Sequence, residues 1–421
     1  MRLAHSHGHS HIRRDDADEV ATSRSAVRIL TIFLALCAVA TVVGVVALWP
    51  DSGQVVKLRN AAQFTAPGVT FQKAKVEAVQ PPCPPGDHGA SVTPAATCGN
   101  ISAVLTTGHE SGQRVVVGVS PAVASSGLAR GDTVRLTRVP PQGSGAPTYS
   151  FDDVVRLGPL WVLAAFFVLA VALVARGRGL LALVGLVFGG FVLVRFMLPA
   201  LLSGSNGLAV SLVGSAAIMF VVLYLAHGPS VRTSAALAGT LLGVGITAAV
   251  GLVAVQAATL SGSGSEDTAL LSSFAGSVSL QGLLTCALVV AGLGVLNDVT
   301  ITQASSVWEL RGAGPELSRR ALFTSAMRIG RDHIASTIYT IVFAYAGASL
   351  AVLLLLSLYD RPILDLLSTE AIAEEVVRTL ASGIGLVLAV PVTTAIAALT
   401  VGEPLAPDRA TGGRRRQVPA P

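Results

Sequence analysis

The 421-residue chain is 52% hydrophobic and only 13% charged, with a net charge of +5. An average soluble domain has about a quarter of its residues charged, so this chain cannot coat a water-exposed globule and lipid must solvate much of it. The arginines sit at the ends of apolar segments, which fits membrane sidedness and excludes a nucleic-acid-binding protein.

Residues 1–28 read as a disordered, polar, His/Arg-rich cytoplasmic tail. His5, His7, His9 and His11 alternate with small residues, a composition that binds a divalent metal weakly. Nothing around them fixes the ligands, so such affinity is incidental. The apolar run Ile29 to Trp49 is longer than a signal-peptide core and lacks a small-residue cleavage site. It is expected to be an uncleaved transmembrane anchor over 29–49.

Residues 50–156 read as a small β domain outside the cytoplasm. Lys73 to Val79 and Asp132 to Val139 alternate polar with apolar, Arg114 to Val119 is a further β-rich run, and Gly127 to Asp132 supplies a turn. About five short strands suggest an OB-like barrel or a sandwich. Cys83 and Cys98 lie in a Pro/Gly-rich loop of this domain. In an oxidising compartment they would form a disulfide, contributing about 3 kcal/mol. The competing reading is a metal site with His88 and His109. His109-Glu110 opens a metalloprotease-like string, but Gln113 stands where its second His belongs.

Seven more spans are expected from about 20-residue apolar runs: Leu157 to Ala175, Leu180 to Leu198, Leu208 to Ala226, Ser234 to Ala257, Leu280 to Leu296, Ile334 to Leu358 and Val376 to Val401. With the N-terminus in the cytoplasm, the inner segments carry Arg13, Arg14, Arg24, Arg28, Arg176, Arg178, Arg232, Arg311, Arg319, Arg320, Arg328, Arg331 and the tail's Arg414, Arg415 and Arg416. Short outer loops carry Arg361 and Arg378 among Glu266, Asp267, Asp360, Asp365, Glu370, Glu374 and Glu375. That bias puts both termini inside. The expected fold class is a predominantly α-helical polytopic membrane protein of about eight transmembrane helices with a small extracytoplasmic β domain. Its seven-helix domain spans 157–401, and a disordered basic cytoplasmic tail covers 402–421.

Polar residues at membrane depth are functional candidates. Arg195, Tyr224 and His227 sit at span ends, where they anchor to the interface. The densest cluster follows the sixth span. There Asp298, Thr302, Ser305 and Glu309 share one helical face. A helix unbroken from Leu280 to Arg311 would be about 48 Å long, beyond the about 30 Å of a bilayer core. Either it projects from the core, or Gly292 and Gly294 break it and aim Asn297 and Asp298 into a cavity. Gly314-Pro315-Glu316 reads as the start of a basic amphipathic helix near 315–331 on the inner leaflet. Arg331-Asp332-His333 then opens the seventh span, with Asp332 facing Asp298 across one vestibule. Gly239, Gly243, Thr247 and Gly251 form a small-residue stripe for close packing. Pro391 is expected to kink the last span, beside Thr393 and Thr394.

Three strings carry a resemblance: Asn297-Asp298-Val299-Thr300-Ile301-Thr302-Gln303-Ala304-Ser305, Arg331-Asp332-His333-Ile334-Ala335-Ser336 and Ala344-Tyr345-Ala346-Gly347-Ala348-Ser349-Leu350. With the segment Met219 to Ala226 before His227-Gly228, they resemble the YibE/F family of bacterial multi-pass membrane proteins. The resemblance covers roughly Phe151 to Val401. Members often carry two Asp where this chain has Asn297-Asp298. The resemblance implies a bacterial plasma-membrane protein and brings no substrate with it.

The residues favour a transporter or permease for an ion or small solute, with Asn297, Asp298, Thr302, Gln303, Asp332, His333 and Tyr345 as its polar intramembrane site. The alternative is a membrane sensor or scaffold whose outer domain binds a ligand or partner protein. No Gly-x-Ser-x-Gly elbow, His-Glu-x-x-His string or intramembrane aspartate pair is present. No enzymatic activity and no cofactor are therefore expected.

Overall fold

The computed structural model describes residues 20–61, 68–81, 99–141, 146–276, 278–358 and 362–404. His5, His7, His9 and His11, the Cys83–Cys98 pair with His88, and the basic tail lie outside the described residues. The chain divides into two compact units, residues 62–174 and the remainder.

The chain enters through α1 (Arg24–Ala47), almost wholly apolar, and a short α2 (Ser52–Ala61). The smaller unit follows: β1 (Thr70–Val79), β2 (Asn100–Leu105), β3 (Arg114–Gly118), a single turn α3 (Pro121–Ala124), β4 (Thr133–Val139) and β5 (Thr148–Val154). All pairings are antiparallel, in the order β3-β2-β1-β4-β5. Alternation decides the faces. Ala74, Val76, Ile101, Ala103, Leu105, Val117, Val134 and Leu136 point into one core, while Lys73 and Lys75 point out. Register shifts at Val76/Ala78 and Arg135/Leu136 bend the sheet, and its β3 and β5 edges curl toward each other. The turn before β4 is closed by the Asp132 carboxylate, which accepts from Ala129 N at 2.8 Å. Gly131 there has a φ of 100°, which a side chain would strain.

The larger unit is helical. α4 (Leu157–Val192) begins in the smaller unit and enters the larger at Ala175; there follow a π-helical turn at Leu193–Met197, α5 (Leu198–Leu202), α6 (Gly207–His227), α7 (Val231–Ala257), α8 (Glu266–Phe274), α9 (Leu280–Ala313), α10 (Arg319–Ala348), α11 (Leu350–Ser357), α12 (Ile363–Leu367) and α13 (Glu370–Thr400). Among the described residues, six helices are long and apolar enough to cross a membrane. A seventh is added if α10 and α11, bent by 66°, count as one span. The chain is thus a multi-pass membrane protein. The longest apolar stretch, Leu157–Leu202, has 46 residues. It leaves helical geometry at Arg176 (φ 53°, ψ −142°), between the two runs expected to span separately.

α7, α9 and α13 pack most closely, with α6 and α10 beside them and α1 against α6 and α7. Small residues make this approach possible. Gly243 lies against Ala389 and Leu296, Gly251 against Leu288, and Gly385 against Thr247. Thr22 and Val401 form an isolated antiparallel bridge, in which Ser23 N donates to Thr400 O at 2.9 Å.

Of the two alternatives for α9 the structure takes the unbroken one, and one expectation changes. α9 runs unbroken through Gly292 and Gly294, because Gly292 faces Ser382 and Thr247 across a close contact and makes no turn. The basic segment is not a separate helix. It starts at Ser318, whose Oγ accepts from Ala321 N at 3.1 Å, and continues into the seventh expected span as α10. Leu322, Ala326, Gly330, Thr337 and Ile341 bury one face of it, and Gln303 Nε2 bonds Ala326 O at 2.8 Å. α13 likewise runs on through Pro391, with Thr393 and Thr394 donating to Ala389 O and Val390 O.

Candidate functional site

α9 and α10 lie antiparallel, so residues after the apolar half of α9 meet those before the apolar half of α10. This brings His333 Nε2 to 3.7 Å from Asp298 Oδ2. The Asp298 side chain is 69% exposed and that of His333 28%. Asp332 is not the group that faces Asp298. Consecutive helical residues point about 100° apart, and with His333 turned to α9, Asp332 is exposed. Thr302 Oγ1 donates to the Asp298 carbonyl at 2.7 Å, so its hydroxyl serves the backbone rather than the carboxylate.

Beside this pair the Asn297 Oδ1 is buried without a hydrogen-bond partner among the described residues. The Asn297 carbonyl accepts from Thr300 Oγ1 at 3.2 Å, and Thr300 shares a 2.6 Å bond with Thr240 of α7. Both threonines are fully buried. The next layer along α7 is apolar, made of Gly243, Leu296 and Ala389. Beyond it polarity resumes. Thr247 and Ser382 flank Gly292, and the Thr247 hydroxyl is buried and unpaired among the described residues. The Tyr345 hydroxyl faces Ser382, within electrostatic reach of Arg378 and Glu375, which pair at 2.7 Å. Glu370 and Glu374 then bind the loop after α7: Glu370 Oε1 accepts from Ser261 N and Gly262 N at 2.6 and 3.0 Å, and Glu374 Oε1 from Gly264 N at 2.9 Å.

The expected residues therefore fall into separate groups. Asn297, Asp298 and His333 lie together. Tyr345 lies twelve positions further along α10, about 18 Å away, among a second set. Gln303 clips α9 to α10 beside Gly330. Thr240, Thr247, Thr300 and Ser382 were not singled out as site residues. Thr247 stood only in a stripe read as packing, and its period-four spacing does mark the face that carries the hydroxyls. The grooves between α10 and α13, lined by Ile338, Val342, Leu380 and Leu388, are apolar. No group of three or more His, Cys, Asp or Glu residues is arranged to hold a metal among the described residues.

In the sheet unit the metalloprotease-like string has a different use. Glu110 Oε1 accepts from Arg138 Nη2 at 2.6 Å and Nε at 3.0 Å, and Oε2 from Gln72 Nε2 at 3.3 Å. The Arg138 bonds, then that of Gln72, hold the Glu110 carboxyl down at about 2.

No curated protein and no solved structure matches this chain. The YibE/F-like protein family matches residues 163–403, more than half of the 421. Its span takes in Asp298, His333, Tyr345 and every buried hydroxyl of the α7–α9–α13 core, and the chain belongs to the YibE/F-like protein family.

Proposed function

We propose that the chain is a permease that carries protons or a small cation across a bacterial plasma membrane along the polar line shared by α7, α9, α10 and α13. Division of the Leu157–Leu202 stretch at Arg176, with the α10–α11 pair as one span, would give eight crossings and both termini on one side, and the arginine bias supports the cytoplasmic side. The observation that carries the reading is the Asp298–His333 pair at 3.7 Å, level with Thr240 and so about 14 Å along α7 from Val231. Ionisable groups at such depth are costly and mark solute paths. At 3.7 Å the pair makes no direct hydrogen bond, so a proton would pass between them through a bridging water or after a closer approach. The Thr240–Thr300 and Thr247–Ser382–Tyr345 sets continue the line, and the layer of Leu296, Gly243 and Ala389 is the barrier that must part in each cycle. Uptake in proteoliposomes under an imposed pH gradient tests this. Asp298→Asn and His333→Ala should each remove most of the flux; unchanged flux in Asp298→Asn would take Asp298 out of the mechanism.

A second reading rests on the smaller unit. The order β3-β2-β1-β4-β5 with curled edges, and α3 between β3 and β4, suits an OB-like barrel, a fold that presents ligand-binding faces. Phe71, half exposed and stacked by Arg135 at 5.5 Å, is the natural contact. A photo-crosslinker at position 71 of the full chain would trap one discrete extracytoplasmic partner if the unit is a sensor, and none if transport is the whole function.

A further inference from the structure

Where α9 turns into α10, an arginine is buried. Arg311 is 5% exposed. Its Nη1 donates to the carbonyls of Pro315 and Leu317, both at 2.8 Å, and so closes the turn. Among the described residues its Nε and Nη2 are buried and have no hydrogen-bond partner. Arg319, half-buried in the first turn of α10, lies within electrostatic reach of Arg311. Its Nη2 makes a long 3.4 Å bond to Val401 O, and its Nε is also buried and, among the described residues, unpaired. The nearby carboxylate, Glu316, is exposed and leaves those nitrogens unpaired.

Two neighbouring cations with orphan N–H groups are an expensive arrangement unless an anion completes it. The positive end of the 30-residue α10 begins at the same place, and its Ser318 cap covers Ala321 N. The guanidinium fork matches the oxygens of a phosphate group, which it binds through paired charge-assisted bonds. Arg319 also touches Val401, the residue just past the end of α13. The site therefore lies where the spans end, which is the level of lipid phosphates. We infer that Arg311 and Arg319 form a binding site for a phosphate group, supplied by an anionic lipid headgroup or by the free anion. The less buried Arg319 gives the approach, and binding draws the unpaired Nε and Nη2 of Arg311 into the contact.

The test is thermal unfolding of the full chain. In detergent, sodium phosphate is compared with sodium chloride at matched ionic strength. In nanodiscs, phosphatidylcholine is compared with phosphatidylcholine plus phosphatidylglycerol. A higher Tm with phosphate in detergent assigns the free anion. A higher Tm with phosphatidylglycerol where phosphate is inert assigns the headgroup. Arg319→Gln should weaken the response about tenfold. Arg311→Lys keeps the charge but loses the fork, and should weaken it similarly; its response decides the matter in the same two directions if Arg319→Gln fails to fold. The same Tm in phosphate, chloride and both lipids, or a full response in these variants, overturns the site.

Discussion

In the sheet unit charged side chains answer one another directly. Arg114 meets Glu77 at 2.6 Å and Arg138 meets Glu110 at 2.6 Å, while Val76, Ile101, Val134 and Leu136 fill the face beneath. In the α7–α9–α13 core the polar groups are short hydroxyls, and most bond back to their own helix: Thr240 to Ala236 O, Thr393 to Ala389 O, Thr394 to Val390 O. Water lets long ionic side chains stand on one face of a strand while apolar ones take the other. In lipid a hydroxyl's dependable acceptor is its own backbone, and contact is won by small residues that let helices touch. The two units read as opposites because they are solvated by different media.

That contrast predicts where each unit breaks. The largest effect belongs to Leu136→Ala, which opens a cavity in the single apolar face of the sheet. It should cost about 3 kcal/mol, read as faster hydrogen exchange in β1 and β2 with exchange in α7 unchanged. Next is Gly385→Val. Its side chain would collide with Thr247, and it should destabilise the helical unit by about 2 kcal/mol in detergent thermal unfolding. Thr247→Ala in the same chain should recover part of that loss; no recovery would mean the contact is not where the strain falls.

In the sheet unit a pH effect should come from Glu110. The folded Glu110 carboxyl sits at about 2, below the about 4.3 of an unfolded glutamate. Its contribution is therefore whole above about pH 4.3 and fades as pH falls toward 2. Glu110→Gln should flatten the acid limb of β4 exchange protection and leave neutral-pH behaviour of the helices alone. The smallest effect is expected from Thr240→Val, about 0.6 kcal/mol, because Thr300 keeps its bond to Asn297 O.

Much of this architecture was readable from residue patterns. Alternation located β1 and β4, a β-rich run located β3, and apolar length located the long membrane helices, since all depend on local pattern. What stayed open depended on neighbours distant in sequence. Gly292 looks the same whether it breaks a helix or admits Ser382 and Thr247, and only the partner helices decide. The nearness of α9 and the start of α10 was expected but the rotation of α10 was not legible, so Asp332 was expected where His333 stands. Arg311 reads as one more interfacial arginine marking sidedness. Its burial comes from the turn Pro315–Leu317 folding over it, which no hydropathy window registers.

The bridge between Thr22 and Val401 has a consequence for assembly. α1 and α13, which is made well after it, are stitched together by backbone bonds, so α1 cannot reach its final seat against α6 and α7 with that clasp closed until α13 has been made. Linking residue 403 to residue 20 and reopening the chain at the 203–206 turn should give a circular permutant with the same helical unit, inserted in a different order.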